Sequence, residues 1–191
     1  MKSTWGLDLC SRAIRIVLLI AVALALPAAG ARSKVFYSRS EALALAFPDA
    51  DHIEDRTHIL SEEHVARIES LAHAPLDSRL VRIYTGFEQG EVVGYAFIDV
   101  HTVRTLPEAF LIVLSPEGAV RTLRVLAFHE PLEYKPSDRW YNQFEDKSLA
   151  EPLRLGADVH GVVGATLSAR ATTRGVRRAL ALYEVVVQNA N

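Results

Sequence analysis

Residues 160–168 read His-Gly-Val-Val-Gly-Ala-Thr-Leu-Ser and combine what a small anion site needs. Gly164 and Ala165 carry almost no side chain, so a ligand can come close to the backbone. Thr166 and Ser168, on either side of Leu167, bring hydroxyls to the start of a helical pattern. A helix leaves N–H groups unpaired there, and its dipole is positive at that end. A phosphate is the natural guest. The same hydroxyls also have a simpler use as helix caps. Two further stretches carry chemistry-bearing side chains. His129-Glu130 closes an apolar run, and residues 101–108 hold a histidine, Arg104, Thr105 and an acid between two apolar runs. No Ser-His-Asp or Cys-His arrangement stands out, so no catalytic residue is assigned. His52, His58, His64 and His73 lack the i,i+4 spacing of a helical metal site, and no metal is expected.

The elements that must position these residues follow from periodicity. Val176, Ala179, Leu180, Tyr183, Val186 and Val187 recur at helical spacing, which predicts a terminal helix over about Ser168–Val187. Arg170, Arg174, Arg177 and Arg178 are expected on its solvated side. Four strands precede it: Leu80–Phe87, Glu91–Val100, Phe110–Leu114 and Val120–Phe128. Glu88-Gln89-Gly90 and Ser115-Pro116-Glu117-Gly118 are turn sequences, and the short connections predict an antiparallel sheet. Trp140–Phe144 reads as a short helix with an aromatic face, and Leu153 with Leu155 as a short edge strand. Upstream, a helix is expected from Ser40 to Phe47 with Leu43, Ala44 and Phe47 on one face. Another follows Ser61, with Val65, Ile68 and Ala72 as its stripe. The acidic stretch Asp49–Asp55 between them reads as a solvated loop.

The fold class is therefore α+β: an antiparallel sheet with flanking helices over 80–191, preceded by a helical N-terminal extension over 32–79. Residues 1–31 read as a secretory signal. Lys2, Arg12 and Arg15 precede the apolar run Ile16–Leu26, and Ala29-Gly30-Ala31 offers a cleavage site. Eleven apolar residues fall short of the roughly 20 that span a bilayer, and a retained anchor is the alternative. The one cysteine, Cys10, lies in this segment, so the mature domain has no thiol for disulfides or iron–sulfur clusters. A net charge of −2, with no basic stripe among aromatics, does not fit nucleic acid.

Gly-Ala-Thr-Leu-Ser running into a helix resembles the C-terminal signature of the FMN-binding domain family. That family includes the flavin-carrying subunits of the sodium-pumping NADH:quinone reductase and of the ferredoxin:NAD electron-transport complex. Its motif is Asp-Gly-x-Ser/Thr-Gly-Ala-Thr, whose last threonine is joined to the FMN phosphate by a phosphoester. Gly161, Gly164, Ala165 and Thr166 match it, and Thr166 takes the place of the modified threonine. His160 stands where the motif has Asp, and Val163 where it has Ser or Thr; the nearest acid is Asp158. The resemblance covers about residues 80–185. It implies FMN as cofactor, with Thr166, Gly164, Ala165, Leu167, Ser168, Thr105, His129 and Glu130 around it. His129 and Glu130 would tune proton uptake at the ring. It also implies a flavin transferase for maturation, redox donor and acceptor proteins or a membrane electron-transport complex as partners, and an extracytoplasmic, periplasmic location. Two other readings stay open: reversible FMN binding, and a cofactor-free envelope module for binding or assembly.

Overall fold

The structure, a computed structural model, describes residues 34–190; the expected signal segment and Cys10 lie outside the described residues. A six-stranded sheet runs in the order β1-β6-β5-β4-β3-β2. Its strands are β1 (Lys34–Val35), β2 (His52–Ile59), β3 (Leu80–Glu88), β4 (Glu91–Thr102), β5 (Pro107–Leu114) and β6 (Val120–Phe128). Every neighbouring pair is antiparallel. The β3–β4 turn places Gln89 and Gly90 at φ 51° and 86°, the left-handed pair that suits a two-residue hairpin.

Helices cover both faces. On one side lie α2 (Glu62–Ala72), the short α3 (Asp138–Tyr141) and α4 (Thr166–Leu182), which continues as a π-helical turn through Val187. Ile68, Phe97, Phe110, Ile112, Leu123, Phe144, Val176 and Leu180 form the core between this layer and the sheet. On the other side, α1 (Arg39–Ala46) closes a smaller cluster of Ala42, Phe47, Tyr84, Ala96, Leu111, Val113 and Leu126. β4 therefore packs on both faces, as its two-sided apolar pattern predicts.

Several expectations are corrected. The segment preceding β3 is not only helical: it supplies two helices and both edge strands of the sheet. The expected loop over Asp49–Asp55 ends at Asp51, because β2 begins at His52 and pairs along its whole length with β3. α1 starts earlier, at Arg39, held by Ser38 in a capping box with Glu41. Its buried positions are Ala42 and Phe47, while Ala44 is exposed. α2 matches its expected stripe and carries Ser61 as N-cap, whose Oγ accepts from the His64 amide at 3.1 Å. Leu153 and Leu155 form no strand; Leu155 makes one isolated bridge with Val159.

The arginines of α4 divide. Arg170 and Arg174 are exposed, but Arg177 and Arg178 are buried. Arg177 donates to the carbonyls of Leu71 (2.6 Å), Ala72 (2.9 Å) and Pro152. It thus satisfies carbonyls that the end of α2 leaves open, and locks α4 onto α2.

Candidate functional site

Two side chains from the α3 region fix the loop that leads into α4. Trp140 Nε1 donates to the His160 carbonyl at 2.7 Å, and the His160 amide donates to Gln143 Oε1 at 2.7 Å. Asp158 holds the stretch before it, accepting from the amides of Leu153 (2.8 Å) and Arg154 (2.7 Å). Its carboxylate serves the backbone and is not free for a ligand. Beyond His160 the chain turns through Gly164 at φ 84°, a conformation glycine adopts without strain, with open space where a Cβ would point.

α4 then begins without a side-chain cap. The N-cap residue is Ala165, which has no group to offer, and Thr166 is the first helical residue. Thr166 is exposed, and its Oγ1 donates back to the Val162 carbonyl at 3.2 Å. Ser168 is 1% exposed, and its Oγ has no hydrogen-bond partner. Neither hydroxyl caps the helix, so the simpler use of these residues is set aside by the geometry. The amides of the first turn remain available to an anion.

A cavity of about 190 Å³ lies at this helix end, lined by Val103, Arg104, Glu130, Tyr134 and Gly164 through Ser168. Six of the eight residues expected at the site line it: Gly164, Ala165, Thr166, Leu167, Ser168 and Glu130. Thr105 is exposed and is not among the lining residues. Its amide and the Leu106 amide donate to Glu130 Oε1 at 2.7 and 2.9 Å, with its hydroxyl at 3.3 Å. The Thr105 amide bond is foremost in holding the Glu130 carboxyl below its ordinary range. Glu130 is therefore a bound anion that ties the end of β6 to the β4–β5 connection. His129 is not among the lining residues; its amide donates to the Pro107 carbonyl at 3.2 Å. Arg104 and Tyr134, whose side chains suit a phosphate and a stacked ring, also line the cavity, and Val103 joins them with no signal in the sequence. Arg104 supplies the cationic side chain of the cavity wall, and Tyr134 its aromatic one.

The expected loop over 101–108 is shorter than its composition implies. β4 runs to Thr102 and β5 starts at Pro107, so His101 and Glu108 are cross-strand partners inside the sheet. Here a charged chain is buried. Arg178 bonds Asp99 through Nε and Nη2, and Asp99 Oδ2 lies 2.5 Å from His101 Nδ1. Burial opposes ionisation of Asp99, but the bonds to His101 and Arg178 outweigh it and hold its carboxyl below the usual range. Glu108 is 0% exposed with neither oxygen bonded, and desolvation pushes its carboxyl up to about 8. Periodicity could not show this cluster, because its members fall on three separate segments.

The fold and site define an α+β domain whose antiparallel sheet carries a long helix with an uncapped, cavity-facing N-terminus. No protein-family profile matches the chain. Over 122 residues it is 28% identical to one of the subunits that make up the Na⁺-translocating ferredoxin:NAD⁺ oxidoreductase complex of Acetobacterium woodii. The match covers 55% of this chain and 56% of the relative, so the chain spans about half the length of the protein it matches. Among the described residues no helix is long and apolar enough to cross a membrane.

Proposed function

We propose that this chain is an exported flavoprotein that carries electrons, with FMN attached by its phosphate to Thr166. The observation that carries the reading is the uncapped start of α4. Its first-turn residues line one small cavity, among them the exposed Thr166 and Ser168, whose buried hydroxyl has no partner. Arg104, which also lines the cavity, adds the charge a phosphate needs. At about 190 Å³ the cavity suits a phosphoryl group and the start of its chain, and leaves a three-ring flavin outside. Tyr134, a lining residue, offers a face for stacking. When bound, the flavin supplies the electron chemistry. The chain holds the phosphate, orients the ring and keeps the negative charge of Glu130 in place through the Thr105 and Leu106 amides. The similarity to a component of a ferredoxin:NAD⁺ oxidoreductase complex supports electron transfer and a membrane complex as partner.

Val163, fully exposed where the flavin motif carries a hydroxyl, favours a second reading in which FMN binds reversibly at the same cavity. Intact-protein mass separates the two. The full chain is exported in a bacterium with a flavin transferase, beside Thr166→Ala. A flavin-sized increment in the wild type alone establishes the phosphoester. Yellow protein of unmodified mass, losing FMN on dialysis, establishes reversible binding. Colourless, unmodified protein overturns the flavin reading.

A further inference from the structure

We propose that His101 and Glu108 hold a single proton between them, forming a buried proton-binding site at the foot of the β4–β5 hairpin. The pair is cross-strand in register, and both side chains are removed from water, His101 at 8% and Glu108 at 0% side-chain exposure. Asp99, ionised by Arg178, can only accept, so its 2.5 Å bond to His101 is donated by Nδ1–H. That leaves Nε2 facing Glu108 Oε2 at 3.8 Å, within a side-chain adjustment of a hydrogen bond. His101 Nε2, both Glu108 oxygens and the Tyr141 hydroxyl are buried without partners. A proton on Glu108, donated to His101 Nε2, satisfies two of these atoms, and the buried Tyr141 hydroxyl is close enough to feel the charge of Glu108. Removing it would leave an uncompensated carboxylate in the core, which burial forbids at ordinary cost.

Burial is the main reason Glu108 keeps its proton, and the charges around it divide: Lys135 lowers its proton affinity, while Asp99 on β4 and Glu130 after β6 raise it. Lys135 is already engaged, bonding Asp138 at 2.7 Å and the Pro136 carbonyl at 3.2 Å. The positive charge of Arg178 is matched by its fork onto Asp99. Val103 and Arg104, which follow β4 directly, line the cavity at the start of α4. Glu130 also lines that cavity, so a change of charge there is felt at Glu108. The proton site itself stands independently of the flavin reading.

The test is a carboxyl-carbon NMR titration of the full chain carrying labelled glutamate, from pH 4 to 10, without added cofactor. One glutamate resonance is expected to inflect near pH 8, apart from all others, and to be missing from Glu108→Gln. Should that variant not fold, His101→Gln makes the assignment by shifting the same inflection without deleting the resonance. Glutamates that all titrate in the ordinary range overturn the proposal. So does a high inflection that survives Glu108→Gln or ignores His101→Gln.

Discussion

Arg178 forks onto Asp99, with Nε 3.0 Å and Nη2 2.7 Å from Oδ1, and Nη2 again 2.7 Å from Oδ2. This contact joins the terminal helix to the middle of the sheet. Both side chains are shielded, at 10% and 16% exposure. Removing one partner strands the other as a buried charge, which costs about 3–5 kcal/mol. Arg178→Leu is expected to destabilise the domain by that order in denaturant unfolding. The double variant Arg178→Leu/Asp99→Leu is expected to recover part of it. Equal losses in single and double variants would show that the pair matters only through packing.

Gly175 is where the helix comes closest to that pair. A Cβ there would sit 2.7 Å from Asp99 Oδ2 and 3.3 Å from Asp99 Cγ. In an open helix, Gly→Ala gains about 1 kcal/mol. Here the added methyl collides with a carboxylate fixed by Arg178 and His101, so Gly175→Ala is expected to lose about 1–3 kcal/mol. Measured in the Asp99→Ala background, the same change is expected to return to a gain. A stabilising Gly175→Ala in the wild type would mean that Asp99 is free to move aside.

Stability should also depend on pH through Glu108. Its carboxyl is raised to about 8 in the folded chain and returns to its ordinary range on unfolding. Between those values the native state binds the extra proton, so stability falls as pH rises. The contribution is complete below about pH 4.5 and gone above about pH 8. Asp99 acts in the opposite sense: its lowered carboxyl adds stability that is lost at strongly acid pH. Denaturation midpoints measured from pH 5 to 9 are expected to decline, and Glu108→Gln is expected to flatten the decline. A flat wild-type profile would rule out a neutral Glu108.

Much of this was legible in the sequence where the physics is local. The four strands from Leu80 to Phe128, the Ser61 cap and the stripe of α4 follow from periodicity and turn chemistry, and the structure reproduces them. β2 leaves no clear periodic signal, because an edge strand needs little apolar surface. Its His-Ile-Glu-Asp-Arg-Thr-His-Ile run keeps charges at the open edge, which hides the alternation and protects against pairing with other chains. The burial of Arg177 and Arg178 is hidden from periodicity for a related reason. Arginine is expected at the surface, and only the approach of α2 and β4 makes burial favourable by supplying carbonyls and a carboxylate. At the candidate site, the loop and Glu130 could be read directly. The missing cap could not, because it depends on where α4 starts: at Thr166, two residues earlier than expected.

His160 replaces the acid of the flavin motif, and its backbone is held from both sides by the α3 region. Trp140→Phe keeps an aromatic ring, though a smaller one, and deletes the indole donor to the His160 carbonyl. A bond of this kind contributes about 0.5–1.5 kcal/mol, and here the loss falls on the loop rather than on the core. Trp140 is half-buried and its ring packs edge-on against Phe144 at 5.4 Å, a contact that phenylalanine retains in part. The global unfolding midpoint is therefore expected to change little. Amide exchange over residues 160–164 is expected to quicken by about three- to tenfold, the equivalent of that lost bond. Under the proposed attachment, the yield of flavin-modified chain is expected to drop with it, although Thr166 is intact. Unchanged loop exchange would show that Gln143 alone holds the loop. Faster exchange with undiminished labelling would show that attachment does not need the loop held in place.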